Sequence, residues 1–152
     1  MKSLTICNEV LIDLFLKLLQ RNEIVTFVVK GNSMYPFLRN NQDYVKIVRL
    51  ESGDLKWGQI VLFRYENRYL LHRIIRKKGT NYYLRGDNNW SFHLETCKKE
   101  DVCGIVVKVN RNGHEINCDS WQWRFLSLLW VKTHKCRVCL YTCYCYLRKV
   151  RK

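Results

Sequence analysis

In the stretch Gln59-Ile60-Val61-Leu62-Phe63-Arg64-Tyr65-Glu66-Asn67-Arg68-Tyr69-Leu70-Leu71-His72-Arg73-Ile74-Ile75-Arg76, two runs of β-branched, aromatic and aliphatic residues flank one polar dipeptide. Runs of this kind read as strands. A two-residue connection ending in Asn suits a tight hairpin turn, because Asn tolerates positive φ. The reading is therefore a hairpin of Gln59 to Tyr65 and Tyr69 to Arg76, turning at Glu66-Asn67. Outward from it, further short strands are expected at Ile24 to Lys30, Tyr44 to Val48, Tyr82 to Leu84 and Gly104 to Val109, with a weak one near Glu115 to Asn117. Lys78-Gly79-Thr80-Asn81 forms another turn. No helix-length segment separates these strands, so residues 24–118 are expected to form a mainly β, curled and mostly antiparallel domain.

On either side of that domain the periodicity changes. Val10, Leu11, Leu14, Leu18 and Leu19 recur at helical spacing, with Glu9, Asp13, Lys17 and Gln20 mostly between them. Residues 1–23 thus read as an amphipathic helix packed on the domain, with Asn8 as its N-cap; a position on a membrane surface is the other reading. Residues 119–152 carry Trp121, Trp123, Phe125, Leu126, Leu128, Leu129 and Trp130, then a cysteine-rich segment, without Gly or Pro. One or two basic, aromatic-rich amphipathic helices are expected there.

The chain has 152 residues, 47% of them hydrophobic, which suits one folded domain with a sizeable core and excludes a disordered chain. There are 27 Lys and Arg against 13 Asp and Glu, a net charge of +14. Seven basic residues and no acidic one lie between Lys132 and Lys152, so the excess is concentrated in the tail. Trp121, Trp123 and Trp130 beside Lys132, Lys135, Arg137, Arg148, Lys149, Arg151 and Lys152 suit a helix lying among lipid headgroups. A helix packed on the β domain with a solvated basic end accounts for the same residues.

The eight cysteines stand at 7, 97, 103, 118, 136, 139, 143 and 145. A secretory signal is not visible, because Glu9, Asp13 and Lys17 interrupt the first apolar run. A reduced, cytoplasmic chain is expected, with peripheral contact on the inner membrane face through the tail. Cys136, Cys139, Cys143 and Cys145 lack the usual paired zinc-knuckle spacing; on a helix the first three share one side and read as an apolar stripe. No metal and no cofactor is expected. His93, His114 and His134 have no partner at metal-ligand spacing.

The chemistry-bearing candidates begin with Gly31-Asn32-Ser33-Met34-Tyr35-Pro36, which contains the chain's one proline, three residues after a serine. A serine hydroxyl needs a base to take its proton and a third group to orient that base. Ser33 follows a strand and Gly31, where a turn lifts its hydroxyl clear of the sheet. His72 alternates with the apolar Leu70 and Ile74 on one strand face, so its ring nitrogens require partners there. Asp87 lies in the turn Arg85-Gly86-Asp87-Asn88-Asn89. Taken singly, each has a bland reading as a turn serine, a core histidine or an Asx residue.

Taken together they resemble a family. Gly31-Asn32-Ser33-Met34-Tyr35-Pro36-Phe37-Leu38 resembles the nucleophile box of the S24/S26 superfamily of serine peptidases, which comprises signal peptidases and self-cleaving repressors. Gly58-Gln59-Ile60-Val61 resembles its Gly-Asp-Ile-Val strand. Leu71-His72-Arg73-Ile74 is similar to the base-bearing strand, Leu84-Arg85-Gly86-Asp87-Asn88-Asn89 to the Gly-Asp-Asn box, and Asp101-Val102-Cys103-Gly104-Ile105-Val106 to the closing strand. The five boxes occur in order over residues 24–109. Histidine in place of the commoner lysine is similar to the branch that works at the endoplasmic reticulum and in archaea.

The resemblance implies a serine endopeptidase in which Ser33 attacks, His72 is the base and Asp87 orients it. It implies an oxyanion held by the Ser33 N–H and a further donor, with Gly31, Asn32, Met34 and Pro36 supporting the nucleophile. Gly31 stands where some relatives supply a hydroxyl. Gln59 and the segment Asn40 to Asp43 depart from the pattern and read as structural. With no membrane span in the sequence, the expected substrate is a precursor or leader peptide and not the general run of secretory signals.

Two other classes compete. A self-cleaving regulator lacks room before Ser33 for a DNA-binding domain, and the Ala-Gly bond such proteins cut is impossible in a chain without alanine. Its one Cys-Gly bond, Cys103-Gly104, falls in an expected strand. A non-enzymatic module would use the basic tail to bind nucleic acid or membrane, with nucleic acid the less expected partner.

Overall fold

The Glu66-Asn67 dipeptide turns the chain with both residues at positive φ, 45° and 61°, and Tyr65 pairs directly with Arg68 across it. In the computed structural model, which describes residues 9–51 and 53–150, this hairpin joins β3 (Ile60–Tyr65) to β4 (Arg68–Lys78). The other strands are β1 (Val25–Val28), β2 (Asp43–Val48), β5 (Asn81–Arg85), β6 (Glu95–Lys98), β7 (Val102–Arg111) and β8 (His114–Asn117). All pairings are antiparallel, in the order β1-β2-β7-β3-β4-β5-β6.

Strand β7 organises the sheet by serving three partners. Along one side Ile105 to Arg111 pairs with β2; along the other, Val102 to Ile105 pairs with β3 and Lys108 to Arg111 with β8. Register shifts at Lys46/Ile47, Leu62/Phe63 and Ile74/Arg76 interrupt three of the ladders. Such bulges increase local twist, which accounts for the curl of the sheet.

The two faces of the sheet carry separate hydrophobic clusters. One cluster joins Val45, Ile47, Ile60, Leu62, Leu71, Val106 and Val109 to Leu19 of α1 (Glu9–Gln20), to Met34, Phe37 and Leu38, and to Trp123 of α2 (Trp121–Lys132). The other joins Val61, Phe63, Leu70, Ile74, Tyr82, Leu84 and Cys97. Alternation along β4 assigns Leu71 to the first and Leu70 and Ile74 to the second.

Every expected strand forms, with somewhat different ends. Strand β6 was not expected: Glu95-Thr96-Cys97-Lys98 has no apolar alternation apart from buried Cys97, and it lies at the sheet's edge. The tail forms two helices, α2 and α3 (His134–Val150). Ser120 caps α2 by accepting the Trp123 N–H. Asn8, the expected cap of α1, lies outside the described residues, as does Cys7. The seven described cysteines are free thiols.

Candidate active site

The segment after β1 is fastened at both ends and left open in the middle. Val29 donates its N–H to Asp43 O at 2.8 Å and accepts from Asn41 N at 2.8 Å. Gly31, at φ 90°, donates its N–H to Asn40 Oδ1 at 2.8 Å. Met34 and Leu38 are buried, whereas Asn32 and Tyr35 are exposed and Ser33 is half-buried between them. The Tyr35-Pro36 peptide is cis.

Fully buried Asp43 fixes the returning leg. Its carboxylate accepts from Arg111 Nε and Nη2 at 2.9 and 2.7 Å and from the Arg39 N–H at 2.8 Å. Arg111 also reaches the Phe37 carbonyl at 2.9 Å. The Asn40 to Asp43 departure from the family pattern thus supplies the loop's fastenings through the Asn40 and Asp43 side chains and the Asn41 and Asp43 backbone. Gln59 is similarly employed, its Oε1 accepting the Lys56 N–H at 2.7 Å.

His72 is carried to this loop by β4, and the turn after β5 closes over both. A Cβ placed on Gly86 would lie 2.7 Å from the Ser33 carbonyl oxygen, 3.0 Å from His72 Nε2 and 3.2 Å from Ser33 Cβ. The serine side chain and Nε2 therefore converge on the space that Gly86 leaves vacant. The turn is tied to the loop by Asn88 N–H donating to Ser33 O at 2.8 Å. No hydrogen bond joins Ser33 Oγ to Nε2 among the described residues; such bonds are often long before substrate closes on a site.

Asp87 does not occupy the place expected of it. Its oxygens accept from Arg73 Nε and Nη2, both at 2.8 Å, in a bidentate pair that is almost wholly buried. Arg73 follows His72 on β4 and projects from the opposite face, so Asp87 lies on the wrong side of the strand to reach the imidazole. Arg73 donates further to Gly58 O at 2.8 Å and Ser127 Oγ at 2.9 Å, and its guanidinium lies 4.5 Å from the Phe37 ring centroid. The pair pins the Gly86 turn to β4, β3 and α2.

The carboxylate beside the imidazole belongs to Glu95, on the unexpected strand β6. Its Oε2 lies 3.3 Å from His72 Nδ1, with the side chains only 13% and 7% exposed. Alignment is too poor for a hydrogen bond, and neither atom has another partner among the described residues. A small rotation of either side chain would complete the bond. Burial raises the Glu95 pKa, but the neighbouring His72 imidazole, with smaller contributions from the Glu95 backbone and His93, outweighs it and holds the carboxyl below its ordinary value. Glu95 Oε2 and Ser33 thus face opposite nitrogens of one ring. An acidic residue in a short edge strand gives little sequence signal for this role.

The tail buttresses the same turn. Trp130 Nε1 donates to Asp87 O at 3.0 Å, and His134 Nε2 lies 2.9 Å from Asn89 O. Trp90 stacks on Tyr141 of α3, with centroids 4.7 Å apart. No group of three His, Cys, Asp or Glu side chains is placed to hold a metal among the described residues.

The profile of the family described as Peptidase S24-like matches residues 8–109. The match begins earlier than the five sequence boxes and takes in α1. It spans β1 to β6 and most of β7, including Ser33, His72, Asp87 and Glu95. No curated protein matches the chain.

Proposed function

Because the chain belongs to the Peptidase S24-like family, whose members include peptidases and self-cleaving repressor-type proteins, we propose that it is a serine endopeptidase acting through Ser33, His72 and Glu95. The observation that carries this reading is the convergence of Ser33 and His72 Nε2 over Gly86, with Glu95 at Nδ1. A hydroxyl, an imidazole and a carboxylate in that order supply a nucleophile, its general base and the group that orients and stabilises that base.

In the proposed reaction Ser33 Oγ attacks the scissile carbonyl carbon while its proton passes to His72 Nε2. The negative carboxylate at Nδ1 stabilises the resulting imidazolium and fixes the ring's orientation. Charge on the carbonyl oxygen is met by the Ser33 N–H and a second donor. The Gly31 N–H is already committed to Asn40, which leaves exposed Asn32 as the side-chain candidate. His72 then gives its proton to the leaving amine, and the Ser33 ester is hydrolysed by a water deprotonated at the same nitrogen.

The substrate under this proposal is a separate precursor or leader peptide. Cys103-Gly104, the bond considered for self-cleavage, lies within β7, where Gly104 pairs with Leu62. A Cβ on Gly104 would lie 2.5 Å from Ile47 Cγ2, so the strand is packed tightly at that point. Cleavage there would require dismantling the centre of the sheet.

A fluorophosphonate probe tests the nucleophile without knowledge of the substrate. The wild-type chain should be labelled on Ser33, and labelling should fall by about 10³-fold or more in Ser33→Ala and His72→Ala, the scale on which such units lose activity. Equal labelling of Ser33→Ala, or an unlabelled wild type, would refute the proposal.

A further inference from the structure

Helix α3 presents one face that the other described residues leave uncovered. His134 is buried, Val138 half-buried, Tyr141 stacks on Trp90, and Arg137 lies 3.5 Å from the Trp130 ring centroid. These contacts hold one side of the helix to the domain. On the other side Cys136, Leu140, Cys143 and Leu147 follow at intervals of four, three and four residues, and all are exposed. Leu140 and Leu147 are 71% and 61% exposed. Such spacing forms a continuous stripe along a helix, here widened by exposed Cys139 and Tyr146.

Charge selects what covers this stripe. On a helical projection Lys135 borders it on one side and Arg148 lies beyond the other. Between Ser120 and Lys152 there are eight basic residues and no acidic one. A second copy docked on the same face would bring two such helices together without a compensating carboxylate. Nucleic acid would meet the charges but leave the leucines without an apolar partner. An anionic bilayer meets both, with acyl chains for the stripe and headgroups for the cations.

We infer that α3 docks this chain on anionic lipid, with Cys136, Leu140, Cys143 and Leu147 in the acyl boundary and Lys135 and Arg148 at the headgroups. The helix lies along the surface. It has 17 residues, about 25 Å, and no helix among the described residues is long and apolar enough to cross a membrane. Trp90 and Phe92, which contact α3, belong to the segment that follows the Gly86 turn, so docking would bring the candidate active site to the bilayer surface. The inference does not depend on peptidase activity and can be tested in Ser33→Ala.

The experiment is cosedimentation of the full chain with vesicles of phosphatidylcholine alone and of phosphatidylcholine with about one third phosphatidylglycerol. Binding to the anionic vesicles alone is expected, weakening as salt is raised. The double variant Leu140→Glu/Leu147→Glu alters two exposed positions and should retain the wild-type circular dichroism spectrum while losing at least about tenfold in vesicle affinity. Anionic vesicles should also slow the reaction of Cys136, Cys139 and Cys143 with a polar maleimide, read peptide by peptide by mass spectrometry. Vesicle binding unchanged by the double variant, or no binding by the wild type, would overturn the inference. So would a wild-type dimer that the variant dissociates, or stronger binding to a DNA duplex that the variant leaves intact.

Discussion

Glu95 and Asp87 show how two carboxylates close to one candidate active site can have different work. Asp87 meets a guanidinium that remains charged, in a fixed bidentate geometry. Glu95 meets an imidazole whose charge changes in the proposed reaction. Their substitutions should therefore fail differently. Glu95→Gln keeps the size of the side chain but removes the countercharge of the imidazolium; kcat/KM should fall by about 10²- to 10⁴-fold. Glu95→Asp, retaining the charge, should recover part of that loss. Asp87→Asn instead leaves Arg73 buried beside a neutral partner and should cost about 3–5 kcal/mol in urea denaturation. Where it remains folded, its kcat should fall less than that of Glu95→Gln. A larger loss of kcat in folded Asp87→Asn than in Glu95→Gln would return the orienting role to Asp87.

At the scale of elements, the hairpin β3-β4 was legible because apolar runs and an Asn-containing turn agreed on one register. The alternation of β4 also separated His72 from Arg73, and this separation places Asp87 and Glu95 on different faces. Strand β6 was hidden because its existence depends on pairing with β5, a long-range contact that four mainly polar residues do not announce. The tail's helices were legible as helices, but their grip on the Gly86-Asn89 turn was not, since it rests on Trp130, His134 and Ser127 meeting groups far away in sequence. His134 must donate through Nε2, because its partner is a carbonyl oxygen. Burial lowers its pKa; the nearby Arg85 and Arg137 charges lower it further, and the Asn89 bond opposes them. Protons therefore bind the unfolded chain more readily than the folded one, and stability should fall as pH drops through the ordinary histidine range near 6.5. The thermal midpoint should be lower at about pH 5.5 than at about pH 7.5. His134→Gln can still donate to Asn89 and should narrow that difference; an equal difference would remove His134 from the account.

For the molecule as a whole, the sequence suggested a β domain with a basic tail, whereas the core joins them. Trp123 of α2 lies in the same cluster as Met34, Phe37 and Leu38, the apolar anchors of the Ser33 loop, and meets Phe37 edge to face at 5.2 Å. The connection was obscure because Trp121, Trp123 and Trp130 look alike in a helical, aromatic-rich segment. Only packing assigns Trp121 to solvent at 73% exposure and Trp123 to the interior at 8%. The loop bearing Ser33 is thus held from beneath by the tail, while Asp43 and Arg111 hold its returning leg from the sheet. Substituting the two tryptophans separates a shared core from an appended tail. Trp123→Ala should lower the unfolding free energy by about 3–5 kcal/mol, the usual cost of emptying an aromatic site. Trp121→Ala should change it by no more than about 0.5 kcal/mol. If Ser33 depends on that support, probe labelling should fall in Trp123→Ala even under conditions where the protein remains folded. Equal unfolding curves for the two variants would show the tail to be energetically separate from the domain; a destabilised Trp123→Ala that labels at the wild-type rate would confine its role to stability.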